Sequence, residues 1–525
     1  MKYKKNFCLL AGFIFSLSGI ISAQSSPDDA LLSITRAELR DHIYFLASDY
    51  MAGRTAPSAE YEIAARYVAA QFASAGAVPL LKDEAGELTY FQEVPFIKTT
   101  YGTDIKWTMK KADETREFLN NEDFKVLFSR APKNEKLELV FVGYGIEEPD
   151  YGWDDFKGLD VKGKMLIVLT GAPMKKGKPI LPEEIHEKYA GPAYWSKFWK
   201  LSRKGPKGII MVDANKPGQI SWDDLESIIS TEIYTYQGPG SERSSRPRPS
   251  FYAVRSEVVD ALFEGQPFSP ASIAEKGLRS YSCFQLDGVS IETFFGVIEE
   301  KAVSSKNIVG IVPGTDPDLI NEYITVGAHL DHVAPVDGQV RNGADDNASG
   351  SSGVIEVAEA MAMNPGRRPV VFIAFTAEEM GLLGSKYFLN TGTTDKEMIK
   401  FNINLDMIGR SSEENAETRA HYLVTHKKYL NQLSSFVGEI NRSSINYPLL
   451  YNNDEDSPGG SDHQTFISAG IPAFFFFSGV HEDLHKPGDD PDKIDYSKAE
   501  SISRLAYLIT DTLANMDEIP TFLEE

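Results

Sequence analysis

Five side chains of metal-binding type stand just past apolar runs in the second half of the chain. His329 follows Tyr323–Ala328 and opens His329-Leu330-Asp331-His332. Glu378 and Glu379 come after Pro369–Thr376 and Ala377. Asp406 follows Phe401–Leu405. His485 comes after the run Ala473–Phe477 and precedes Pro487 and the acidic pair Asp489-Asp490. Asp346 lies in Gly343-Ala344-Asp345-Asp346-Asn347-Ala348-Ser349-Gly350, ahead of a helix-like stretch. Two imidazoles and three carboxylates suit borderline divalent metals, zinc first. A lone site would use three of them and keep a water. Five donors with one bridging carboxylate make two three-ligand sites sharing a water or hydroxide. Such ions sit roughly 3.5–4 Å apart and clamp the attacking and leaving sides of a hydrolysis.

Taken singly, each residue also has a structural reading. His329 can be a satisfied loop histidine, although Asp331 two residues on can fix its ring through the other nitrogen. Asp345 and Asp346 can cap the helix that begins near Ser349. Glu378 and Glu379 can be solvated charges in a first helical turn. Adjacent like charges after an apolar strand are costly unless a positive charge sits beside them. A metal ligand next to a general base resolves that conflict. His485 competes with His463 and His481, whereas His42, His186, His421 and His426 lie away from the strand ends. It is the ordered set that carries the reading.

The elements that must hold these residues alternate. The apolar runs Asn307–Val312, Tyr323–Ala328, Pro369–Thr376, Phe401–Leu405 and Ala473–Phe477 are expected strands. Helix-like stretches lie between and after them, at Ser349–Met363, Leu382–Leu389, Lys427–Ile440 and Ser497–Ala514. This order implies an α/β sandwich with a mostly parallel central sheet covered on both faces. Ligands in such sheets bind outside the carboxyl ends of the strands, where the five residues stand. Upstream, residues 33–76 read as two helices, with Leu39, Ile43, Phe45 and Leu46 on one apolar face and Ile63, Ala64, Tyr67, Val68 and Phe72 on the other. From about Asp123 to Gln285 short β runs alternate with Gly, Pro and Lys, so a separate β-rich insertion is expected. Its stretch Gln237–Ser250 reads as an exposed loop.

The chain has 525 residues, and its 76 acidic against 53 basic residues give a formal net charge of −23. That balance argues against nucleic acid and anionic lipid as partners. Lys2, Lys4 and Lys5 precede an apolar run from Phe7 to about Ile21, with Ala23 before Gln24, which reads as a secretory signal peptide over residues 1–23. Cys283 is then the single cysteine of the mature chain, so no intramolecular disulfide is expected. No Gly-x-Ser-x-Gly turn occurs, and Gly350–Gly353 has no following Lys to make a phosphate loop.

The chain resembles the co-catalytic di-zinc aminopeptidases, a family that includes bacterial leucyl aminopeptidase, glutamate carboxypeptidase-like enzymes and transferrin receptor. The likeness rests on His329-Leu330-Asp331, the Gly-Ala-Asp-Asp-Asn-Ala-Ser-Gly run, Glu378-Glu379, Asn404-Leu405-Asp406-Met407-Ile408-Gly409, Ser461-Asp462-His463 and His485-x-Pro487. It reaches back to Ser48-Asp49-Tyr50-Met51-Ala52-Gly53-Arg54. Phe141-Val142-Gly143-Tyr144-Gly145-Ile146 and Lys164–Leu169 resemble parts of a protease-associated domain. The resemblance implies a three-layer α/β/α zinc exopeptidase fold. Its parts would be residues 24–122 and 291–525 as the peptidase domain and 123–290 as the inserted protease-associated domain.

By the same resemblance, two zinc ions bind per chain. His329 and Asp406 would hold one, Glu379 and His485 the other, and Asp346 would bridge them beside a peptide bond to Asn347 that is often cis in the family. Glu378 would be the general base and Asp331 would orient His329. The implied activity is removal of N-terminal residues from peptides by an exported enzyme, periplasmic or extracellular, with no stable membrane insertion after signal removal. Alternatives on the same scaffold are a one-zinc glutaminyl cyclase, a carboxypeptidase or dipeptidase, and a binding protein without chemistry. One position departs from the family. Many relatives carry Tyr just before the last histidine, and here it is Leu484, which leaves the carbonyl-polarising donor unassigned.

Overall fold

The computed structural model describes residues 26–128, 133–190, 195–212, 232–239, 241, 249–270, 283–336, 338–392, 394–453 and 460–523. The expected signal peptide, most of the Gln237–Ser250 loop and residues 454–459 lie outside them. In chain order the strands used below are β1 (Phe91–Lys111), β2 (Glu114–Leu119), β3 (Phe124–Phe128), β4 (Lys136–Phe141), β5 (Met165–Leu169), β6 (Gly208–Val212), β7 (Glu232–Tyr236), β8 (Ser250–Val254), β9 (Phe284–Val312), β10 (Tyr323–His329), β11 (Val370–Phe375), β12 (Ile399–Leu405), β13 (His421–Thr425), β14 (Leu449–Asn453) and β15 (Ala473–Phe477). The helices are α1 (Arg36–Leu46), α2 (Ala59–Ala75), α3 (Gly350–Met363), α4 (Leu383–Asn390), α5 (Lys427–Ser443) and α6 (Tyr496–Asn515).

The expected strands of the second half lie side by side in the order β15-β12-β10-β11-β9, and two strands not expected from sequence, β13 and β14, extend the sheet beyond β15. Strands β11, β10, β12 and β15 are mutually parallel, β9 runs against β11, and β13, parallel to β14, runs against β15. Every residue of β11 and β15 is buried, because parallel strands carry helices on both faces and need no polar alternation. Helix α3 packs on β10, β11 and β12 and is itself covered by α1, α2 and α6. Helix α4 packs against a second short helix, His463–Ser468. The helices start where side chains can satisfy free amides: Thr35 Oγ1 accepts from Glu38 N, Ser58 Oγ from Tyr61 N, and the Asp495 carboxylate from Lys498 N. Phe45 and Ile63, assigned to buried faces by periodicity, are exposed, and Phe45 stacks on Tyr67 at 4.2 Å.

The same sheet continues past β9 through the region of the expected insertion as β4-β5-β6-β8, all parallel, with β9 and β3 antiparallel at the flanks. Strands β5 and β6 are buried on both faces. In β5, Met165, Ile167 and Leu169 enter one apolar core while Leu166 and Val168 enter another, as successive side chains of a strand must. Trp107 stacks on Phe124 at 4.1 Å and meets Tyr252 edge-on at 4.8 Å in the first of these cores. A boundary at residue 123 therefore falls inside this core, since Tyr101, Ile105, Trp107, Met109 and Phe118 already belong to it. Asn307–Val312 is likewise no separate strand but the end of β9, which pairs with β1 from Val289↔Lys111 to Ile308↔Phe91. Gly296 and the exposed Val297 and Ile298 break the alternation in the middle of β9, so a long two-stranded ribbon looks like loop in sequence.

Candidate metal centre and active site

Strand ends and one helix start bring the expected residues to one place. His329 is the last residue of β10, Asp406 follows β12, Glu378 and Glu379 follow β11, and Asp346 immediately precedes α3. His485 arrives on the segment after β15. The backbone at these points is not relaxed: Ala377 (φ 53°), Met407 (φ 60°) and His485 (φ 56°) lie in the left-handed region. Non-glycine residues hold that conformation only where surrounding structure enforces it. The Asp346–Asn347 peptide bond is cis.

Two donor groups share Asp346. In the first, His329 Nε2 lies 3.3 Å from Asp346 Oδ1 and 3.2 Å from Asp406 Oδ1. In the second, His485 Nε2 lies 3.0 Å from Asp346 Oδ2 and 3.2 Å from Glu379 Oε1, with His332 Nδ1 3.2 Å from the same Glu379 oxygen. All donor atoms of each group fall within 4.8 Å of one another. A metal with ligand bonds of about 2.0–2.2 Å in a tetrahedron sets donor–donor edges of roughly 3.3–3.5 Å, close to these spacings. Glu379 Oε1 is buried and has no hydrogen-bond partner among the described residues, as expected of an oxygen whose partner is a cation. The donor set and its geometry thus fit divalent metal ions.

The electrostatics agree. Burial alone would raise Asp346, but His332, His329 and His485 hold its carboxyl well below the usual range. Burial alone would lower His329, yet Asp406, Glu378 and Asp346 raise it well above the ordinary imidazole value. His485 is likewise raised to about 10 by Asp346 and Glu379 against its burial. Glu378 goes the other way: burial, with Glu379, Asp462 and Asp406 nearby, pushes its carboxyl well up. The carboxylates repel one another, and the imidazoles among them offset that charge.

Supporting bonds set the geometry. His329 Nδ1 meets the Asp331 main-chain carbonyl at 3.0 Å, which leaves Nε2 as the free lone pair facing Asp346 and Asp406. The expected orienting role of Asp331 is therefore carried by its backbone. Its carboxylate instead accepts the amide protons of Glu378 (3.1 Å) and Glu379 (3.3 Å), because the β10 and β11 ends run side by side in parallel register. Burial pushes that carboxyl up to about 7. Asp345 and Asp346 do not cap α3 by their side chains. Asn347 Oδ1 accepts from Gly350 N (2.9 Å) and Met407 N (3.1 Å), and its Nδ2 donates to Leu405 O (2.9 Å). These bonds tie the start of α3 to the end of β12, and hence Asp346 to Asp406. Any Cβ at Gly350 would lie 2.2 Å from Leu405 O, so only glycine allows that approach. Asp489 accepts the amides of Asp345 (3.0 Å) and Asp346 (3.1 Å).

Three residues here were not assigned from sequence. His332 is fully buried against Glu379 and His485. Asp489 appeared only as part of an acidic run. Arg54 appeared only as the last residue of a motif; it is wholly buried and donates to five main-chain carbonyls, of Leu46, Leu330, Asn342, Gly343 and Asp346. His463 stacks on Phe475 at 4.3 Å, and His481 faces Asp345 at 3.4 Å; neither belongs to a donor group. Leu484 packs against the Met407, Val424, Phe475 and Phe477 cluster.

Residues 307–510 match the model of Peptidase family M28. This part of the chain is similar to that family. The M28 segment contains both donor groups and Glu378. Among curated relatives, Aminopeptidase YwaD of Bacillus subtilis strain 168 is 32% identical over 218 residues, covering 39% of this chain and 44% of its own. Leupeptin-inactivating enzyme 1 of Streptomyces exfoliatus is 28% identical over 240 residues, covering 45% and 49%. The chain thus spans less than half the length of these relatives. An aminopeptidase from Aneurinibacillus sp. strain AM-1 superposes with TM-score 0.55 at 20% identity over 94% of this chain and 98% of its own. A zinc aminopeptidase from Bacillus subtilis gives 0.51 at 18% over the same shares. At those identities the likeness is one of fold, and it extends beyond the M28 segment to nearly the whole chain.

Proposed function

We propose that this protein is an exported di-zinc exopeptidase that removes N-terminal residues from peptides, with an inserted protease-associated domain. The observation that carries the reading is the pair of donor groups sharing Asp346, with Glu378 next in chain to one ligand. The aminopeptidase names of its relatives and the signal-like residues 1–23 support it. Among the described residues no helix is long and apolar enough to cross a membrane.

His329, Asp346 and Asp406 would hold one zinc, and Asp346, Glu379 and His485 the other. Bound zinc supplies Lewis-acid chemistry, polarising a carbonyl oxygen and lowering the pKa of water toward about 7. Glu378 takes a proton from the attacking water and returns it to the leaving amine as the C–N bond breaks. Burial beside other carboxylates raises its carboxyl above the usual range, the direction that favours accepting a proton. Asp331 holds Glu378 in place through the main chain.

Mass spectrometry of a mixed peptide set incubated with zinc-loaded protein tests the activity. Stepwise loss from free N-termini, with acetylated peptides untouched, is the expected result. C-terminal loss would instead mean a carboxypeptidase, and loss of ammonia from N-terminal glutamine a cyclase. Zinc should also stabilise the fold, because ions that bind only the folded state contribute about 2.7 kcal/mol per site at 100-fold excess over Kd. The melting temperature of chelated protein is expected to rise as zinc is titrated back, saturating at two ions per chain. A flat response would count against the metal centre.

A further inference from the structure

The second donor group contains one ligand-type atom more than the first. His332 is completely buried, and neither of its ring nitrogens has a hydrogen-bond partner among the described residues. An imidazole in that state is costly unless something claims its lone pair. Its Nδ1 lies 3.2 Å from Glu379 Oε1 and 3.6 Å from Asp346 Oδ2. The same two oxygens lie 3.2 and 3.0 Å from His485 Nε2. The 3.2 Å approach of His332 to Glu379 does not form a hydrogen bond, and Glu379 Oε1 is itself unpartnered. These four spacings bracket the roughly 3.3–3.5 Å edge of a tetrahedral zinc site.

We infer that His332 is a fourth protein ligand, so that the ion between His332, Asp346, Glu379 and His485 is held by four protein donors. This rests on the metal-centre reading above. The two sites are then unequal. Four protein donors make a closed site of the kind that holds its ion for structure, whereas three donors keep the open position that catalysis requires. The ion at His332, with four protein donors, is the one that stays, and the ion at His329, Asp346 and Asp406, with three, is the one that leaves first.

The test measures metal retention, without any assay of activity. Metal-free protein is loaded with zinc, dialysed against a graded series of chelator concentrations, and its metal content determined. Wild type should lose its ions in two stages, one per stage. His332→Ala, checked for folding by circular dichroism, should lose both in one stage, with affinity for the retained ion down by more than ~100-fold. Losing a residue that only supports a ligand costs ~10–100-fold, so a change within or below that range overturns the inference. Should His332→Ala fail to fold, zinc-edge X-ray absorption of wild type carrying one ion decides the matter. Two imidazoles in the coordination shell are expected, and one overturns the proposal. Two bound ions with a single imidazole on the retained one would sink the role of His332 alone, whereas wild type that takes up no zinc would sink the metal centre with it.

Discussion

Glu378→Gln is expected to keep its full metal content and lose more than ~100-fold in turnover, the scale of general-base catalysis. The change is isosteric and removes one negative charge from a cluster that already holds Glu379, Asp406 and Asp462. The fold should not suffer, because the bond that seats this residue uses its main-chain amide and the Asp331 carboxylate. Glu378 belongs to neither donor group, so ligand loss cannot account for a fall in rate. Turnover on a cleaved peptide and metal content, measured on one preparation, separate the two explanations. Near-wild-type turnover would remove Glu378 from the role, and loss of metal would make it a ligand.

Arg54→Met should be severe in a different way. One guanidinium gathers carbonyls from α1 (Leu46), from the residue after His329 (Leu330), and from the segment that leads into Asp346 (Asn342, Gly343 and Asp346 itself). Methionine leaves all five without that donor inside the protein. Buried polar groups stripped of partners cost about 1–3 kcal/mol each, partly offset by no longer burying a charge. A net loss of about 4 kcal/mol or more is expected, together with weakened metal binding at both groups, since both use Asp346. Arg54→Lys should be intermediate, because an ammonium carries three donors at one point and cannot span the fork. Denaturant midpoints and metal content read the two effects. A methionine variant within about 1 kcal/mol of wild type would show that the carbonyls find other partners.

The catalytic half was legible because its signal is local. A buried parallel strand is an unbroken apolar run, and the residue that ends it stands out, as His329, Glu378 and Asp406 do. Asp346 was legible through the glycines on either side of it. What escaped depends on how chain segments cross. Whether Asp331 reaches a ring or a neighbouring strand's amides follows from the parallel register of β10 and β11, which two residues of sequence do not contain. His332 lies past the end of β10, so the strand-end pattern passed over it; the His-x-x-His spacing from His329 was its one available cue. Arg54 is nearly three hundred residues from most of the carbonyls it binds, and nothing near it in the chain marks it as buried. The ribbon of β1 and β9 was missed for the opposite reason, since its middle is solvated and carries no pattern of burial.

That ribbon also bears on how such a chain can be assembled. The strand that leaves the peptidase sheet and the strand that returns to it are hydrogen-bonded side by side, with Pro95 opposite Ser304 and Phe96 opposite Val303. Paired strands are about 4.8 Å apart, a gap that a two-residue hairpin closes. Everything between those positions can be cut out or exchanged without moving either end of the remaining chain. Lineages could therefore gain, lose or replace the inserted part by a single splice while the metal-bearing scaffold stays as it was. The scar would be the place in the peptidase core that β7 now fills through Tyr236, which meets Phe96 and Tyr387 edge-on.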